Sequence, residues 1–142
     1  MKTLVTLLLF IPVIVFSQTE QPMKFKKKAP EVIFLREVES AIKTHDADKL
    51  MSYMEPNYKR SQHDEFLAGR TVQFLNEFLW CEGLIFNEII DAQLIRYTQT
   101  KDDENQYEVR FYLKSAKVEC YANIYMVRHL ETKVLSIFGA VG

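Results

Sequence analysis

Two neighbouring segments of this chain alternate apolar and polar residues with a period of two, a pattern that suits a strand and not a helix. In Tyr107–Lys114, Tyr107, Val109, Phe111 and Leu113 fall on one side, and Glu108, Arg110, Tyr112 and Lys114 on the other. In Val118–Val127, Val118, Cys120, Ala122, Ile124 and Met126 stand opposite Glu119, Tyr121, Asn123, Tyr125 and Val127. Each segment therefore reads as a strand buried on one face. Three residues separate them, too few for a crossover, so the two strands must be antiparallel neighbours. Two further strands flank them: Ile89–Thr100 ahead of the polar turn Lys101–Gln106, and Lys133–Val141 after a turn near Leu130–Thr132.

Upstream the apolar period lengthens to that of a helix. From Glu31, residues Phe34, Leu35, Val38, Ala41 and Ile42 recur at three-and-four spacing, with Arg36, Glu37, Glu39 and Lys43 outside the stripe. His45-Asp46 breaks this helix, and Asp46 is placed to cap a second, short one with Leu50, Met51 and Met54 on its apolar side, ended by Pro56-Asn57. Ser61 and Asp64 resemble a capping box that opens a long third helix, running to about Trp80 with Phe66, Leu67, Phe74, Leu75, Phe78 and Leu79 on its apolar face. Gly83 follows as a candidate C-cap. Three N-terminal helices followed by a meander of four mainly antiparallel strands make an α+β fold with the helices on one sheet face.

The N-terminus carries a different kind of message. Met1-Lys2-Thr3 precedes the apolar run Leu4–Phe16, and small residues stand at Val15 and Ser17. This is the plan of a cleavable signal peptide spanning residues 1–17, cut after Ser17 or Gln18. The run holds 13 residues and is interrupted by Pro12, whereas a bilayer span needs roughly 20; no transmembrane anchor is expected. No Cys lies near the cut, which argues against a lipid anchor. The expected product is a secreted or periplasmic chain of about 125 residues with a formal charge of −2, the usual size of one domain. That charge removes the electrostatic case for nucleic acid as a partner. Residues 18–30 read as a flexible basic leader, with Lys24, Lys26, Lys27 and Lys28 around Phe25, and 31–142 as the single folded domain.

Cys81 and Cys120 remain in the exported chain. An oxidising compartment permits a bridge between them, closing a loop of 39 residues; two buried thiols acting as small hydrophobes are the other reading. Neither has a His or second Cys at metal-ligand spacing, so no zinc or other metal site is expected, and no cofactor.

The first helix ends in Ala41-Ile42-Lys43-Thr44-His45-Asp46-Ala47-Asp48-Lys49-Leu50. This step, together with the element order, resembles the nuclear transport factor 2-like superfamily. The resemblance implies a strongly bent sheet and a cone whose mouth opens between helices and sheet. It departs from the family's pattern in lacking the short strand pair between the second and third helices, where only Glu55–Ser61 is available. Phe34, Tyr53, Phe74, Phe78, Trp80, Tyr107 and Phe111 are the candidates to line such a cone; they would either hold a small apolar ligand, oriented by a tyrosine hydroxyl, or fill the interior.

An isomerase, cyclase or dehydratase, activities found in that superfamily, would need a titratable group facing the cone. Asp91 shares a strand phase with Ile89, Gln93, Ile95 and Tyr97, though a strand-end carboxylate explains it as well. His63-Asp64 sits in a first helical turn, His45 between helices and His129 beside a hairpin turn. No pair of them is forced together, and a non-catalytic binding or dimerisation domain is the preferred expectation. Arg110, Tyr112, Tyr121, Asn123 and Tyr125 should stand together on the opposite sheet face. Tyr and Arg are enriched at interfaces, and the resemblance implies a homodimer through this convex face.

Overall fold

Ala29 is extended and Pro30 follows it, a residue whose fixed φ starts a helix at no cost in hydrogen bonds. The first helix, α1, runs Pro30–Lys43 with Glu31 in its first turn and Lys43 in its last, both favourable to the helix dipole. It buries Val32, Leu35, Val38, Ala41 and Ile42. In the computed structural model, which describes residues 20–61, 70–79 and 81–141, α1 is followed by α2 (Ala47–Ser52), α3 (Pro56–Ser61), α4 (Thr71–Phe78) and a 3-10 turn at Phe86–Glu88. Asp46 caps α2, its side chain accepting from the Lys49 N–H at 3.0 Å.

Two helical expectations need correction. Pro56 begins α3 instead of only ending α2, because proline at a first helical position gives up an N–H that would be unpaired there anyway. Phe74, Leu75 and Phe78 belong to a helix that starts at Thr71, with Arg70 at its N-cap, so the expected helix does not run unbroken from Ser61 to Leu79. The proposed capping box, with His63 and Asp64, lies outside the described residues apart from Ser61, as do the signal segment and Trp80. Gly83 has φ +78° and takes the left-handed turn after α4, a conformation that favours glycine, and a Cβ there would lie 3.4 Å from the Val118 side chain.

The strands β1 (Ile89–Gln99), β2 (Gln106–Ser115), β3 (Glu119–Arg128) and β4 (Leu135–Val141) form an antiparallel meander in sequence order. Pairing of β2 with β3 is unbroken from Gln106↔Val127 to Lys114↔Glu119, so the alternation places Val109, Phe111, Leu113, Ala122, Ile124 and Met126 together under the helices, each at most 2 % exposed. β1 does not alternate so simply. Register shifts between Ile89 and Asp91 and between Leu94 and Arg96 put Ala92 and Leu94 on the inner face, opposite Leu113 and Phe111. Asp91 and Gln93 pair with Lys114 and Tyr112 on the other face. Asp91 is thus an exposed end-of-strand carboxylate, 3.8 Å from Lys43.

Both sheet edges are closed by the N-terminal half of the chain. Along β1, Met23 donates its N–H to Ile95 O (2.8 Å), the Glu39 carboxylate accepts from the Leu94 N–H (2.6 Å), and His45 Nε2 meets Ile89 O (2.6 Å). Along β4, Ile137 donates to Tyr53 O and accepts from the Glu55 N–H, a parallel bridge at Met54. An open edge is a template for unwanted pairing, and these contacts occupy it. The segment expected to be a flexible leader is, from Glu20 on, part of this closure: Phe25 stacks on Tyr97 (6.3 Å between centroids) with the Arg36 guanidinium 5.1 Å from its ring centre. The four lysines beside it remain exposed.

Candidate functional site

Of the residues expected to line a cone, Phe74 and Phe78 border one groove of about 580 Å³ with Tyr58 and Cys81, Phe34, Tyr53, Tyr107 and Phe111 do not line it, and Trp80 lies outside the described residues. Phe111 is 1 % exposed in the centre of the core. Phe74 and Phe78 stack on each other at 5.9 Å, with Tyr58 beside both. Phe34 meets Tyr53 edge-on at 5.3 Å, and burial raises the Tyr53 phenol above its usual value, with Glu37 adding to the shift. Tyr107 sits at the far end of the sheet, donating to Glu31 Oε1 at 3.2 Å, and the same carboxylate pairs with Arg128. These rings pack on each other and on the sheet, holding α1 and α2 in place.

The titratable candidates are likewise separated. His45 is engaged at the β1 edge and Asp91 with Lys43. His129 accepts the Thr132 N–H at Nδ1 (3.3 Å), closing the β3–β4 turn. Among the described residues, no group of three or more His, Cys, Asp or Glu is placed to hold a metal ion, and no helix is long and apolar enough to cross a membrane.

Cys81 and Cys120 are joined in a disulfide, their Cα atoms 6.2 Å apart. The inward phase of β3 carries Cys120 under the helices, and the turn after α4 brings Cys81 to it. The bridge thus ties the helical layer to the sheet.

The outer face of the sheet gathers the remaining candidate residues. Arg110, Tyr112, Tyr121, Asn123 and Tyr125 all project there and all are partly exposed. Tyr112 and Tyr121 are direct cross-strand partners with rings 5.8 Å apart, and Arg110 lies over the Tyr121 ring at 4.4 Å while reaching Asn123 Oδ1. Burial raises the Tyr112 phenol above its ordinary value, helped by the Glu119 carboxylate next to it.

Two members of this face were not foreseen. Phe138 stacks on Tyr125 at 5.5 Å, brought outward by the register shift in the β3–β4 pairing between Tyr125 and Met126. Glu20 arrives from the leader. Its carboxylate lies 3.0 Å from Arg110 Nε and 3.6 Å from Arg96, and its N–H donates to the Tyr121 hydroxyl at 2.6 Å. Arg96 and Arg110 are opposite one another in the ladder, where like charges repel; the Glu20 carboxylate offsets that repulsion. The Nε and carboxylate oxygen are shielded from solvent without an aligned hydrogen bond, so their contact is ionic. The cross-strand arginine pair was hidden because it depends on a β1 register shift that the local pattern does not reveal.

No protein-family model, curated protein or solved structure matches this chain.

Proposed function

We propose that this is a secreted or periplasmic, non-catalytic binding domain of nuclear transport factor 2-like type that pairs with a second copy through the outer face of its sheet. The observation that carries the reading is the aromatic surface of Tyr112, Tyr121, Tyr125 and Phe138 around Arg110, partly exposed on the face that the helical layer leaves uncovered. Two such faces related by a two-fold axis would bury their rings self-complementarily, and a contiguous aromatic patch of this kind is characteristic of interaction sites. The Cys81–Cys120 disulfide favours an oxidising compartment, in keeping with a signal segment at the N-terminus. Phe34, Tyr53, Tyr107 and Phe111 do not line the groove beside Phe74 and Phe78, which favours surface recognition over a ligand held in a cone.

Sedimentation of the exported protein at tens of micromolar tests the reading. The wild type should run as a dimer and Tyr121→Glu as a folded monomer, with unchanged far-ultraviolet dichroism. A wild type that stays monomeric across that range rejects self-pairing.

A further inference from the structure

At the end of the β3–β4 hairpin the outer face runs into a groove of about 470 Å³, within the size range of small-molecule sites. It is separate from the cone beneath the helices and shares Phe138 with the proposed pairing face, so it is tested in a variant that cannot pair as well as in the wild type. Its floor is a row across the sheet, Gln106↔Val127↔Ser136, extended by the Phe138 ring. Its walls come from the start of α3 at Glu55-Pro56 and from the hairpin turn at His129 and Val134.

These walls are held from behind. The Glu55 N–H donates to Ile137 O at 2.6 Å, fixing the start of α3 to the β4 edge. Glu55 Oε2 accepts from the Tyr58 N–H at 2.8 Å, which orients the carboxylate. Across the turn, His129 N–H donates to Val134 O and Lys133 N–H to His129 O. His129 Nδ1 accepts from the Thr132 N–H, which orients the ring.

The lining is therefore a mostly apolar slot, with Val127, Val134 and Phe138 as its surface, and one formal charge. That charge is the Glu55 carboxylate. Among the described residues no lysine or arginine lines the groove, and no basic side chain forms an ion pair with Glu55. Val134 is 58 % exposed and Leu130 beside the turn 66 %, so apolar surface continues to the rim. A carboxylate without a cation, fixed at one end of an apolar slot with an aromatic ring, suits an ammonium head joined to an apolar body: the carboxylate supplies the charge and Phe138 a π face. We propose that this groove is a binding site for a small organic amine of that kind.

Amide NMR of the full protein, titrated with phenethylamine, tests the site. The titration is run on both wild type and Tyr121→Glu, so that failure of self-pairing and failure of the groove read out separately. Saturable shifts should appear at Val127, Val134 and Phe138 in both. Phenethyl alcohol, which lacks the charge, should bind about tenfold more weakly, and Glu55→Gln should weaken the amine by about the same factor. Val134→Arg, at an exposed position, should place a cation in the groove and abolish the shifts without lowering thermal stability. Equal binding of amine and alcohol, amine binding undiminished in Glu55→Gln, or shifts that persist in Val134→Arg would each overturn the proposal.

Discussion

Tyr107, Val109, Phe111 and Leu113 face the helices and are at most 4 % exposed, whereas Glu108, Arg110, Tyr112 and Lys114, one residue out of phase on the same strand, are partly or fully exposed. The strand is one piece of backbone, with the same neighbours on either side, and its two faces do different work. On the inner face side chains are fully desolvated and close-packed, so their shape determines stability. On the outer face Arg110, Tyr112, Tyr121 and Tyr125 keep polar tips in water and touch each other laterally, so their loss leaves the core intact. Substitutions on the two faces should therefore separate folding from recognition.

The largest expected difference is between Phe111→Ala and Tyr125→Ala. Truncating a ring that is 1 % exposed removes both its transfer energy and its contacts, and should cost about 3–5 kcal/mol. Tyr125→Ala, on the outer face, should cost no more than about 1 kcal/mol, since it loses mainly the contact with Phe138. Urea denaturation of both variants measures this, and equal losses would mean that the outer face is core.

A smaller effect is expected where the inner layer reaches around the sheet. Glu39 is 9 % exposed, and its carboxylate is the acceptor for the Leu94 N–H, with Arg36 and Lys43 alongside. Glu39→Ala leaves that edge N–H without its acceptor and should cost about 1–3 kcal/mol. Hydrogen exchange at the Leu94 amide should rise in this variant more than at Phe111, in the sheet interior. Comparable acceleration at both would show that the edge contact has no local role.

The smallest effect is on the outer face and depends on pH. Tyr112 has its phenol raised by burial first and by Glu119 second. A folded-state value above the unfolded one means that its contribution to stability is complete below the unfolded pKa, about 10, and is lost as pH rises through the folded value. Glu119→Gln should bring the Tyr112 titration down, and Tyr112→Phe should flatten the loss of stability at alkaline pH. Ultraviolet titration of the phenols follows the first, and denaturation at a series of alkaline pH values the second. An unchanged Tyr112 titration in Glu119→Gln would remove the carboxylate as a contributor.

The β2–β3 hairpin, its inward and outward faces, the capping of α2 by Asp46 and the apolar stripe of α1 were legible in the residues themselves, because each depends on a period or a neighbour a few positions away. The outer cluster of Arg110, Tyr112, Tyr121, Asn123 and Tyr125 followed from the same period. What tertiary structure alone decided begins where that locality ends. The register shifts in β1 reverse the facing of Asp91 and set Arg96 opposite Arg110, and the shift in β4 turns Phe138 outward; such an insertion is fixed by the partner strand, not by the residues that carry it. Sequence chemistry allowed Cys81 and Cys120 to be bridged or free, and the fold joins them because β3 and the turn after α4 meet. Whether Phe34, Tyr53, Phe74, Phe78 and Phe111 would line a cone or fill it was likewise open, since volume complementarity belongs to the whole packed interior. Glu20, Glu39 and His45 close contacts with residues far along the chain, and no spacing in the sequence encodes a meeting that only the folded path of the backbone brings about.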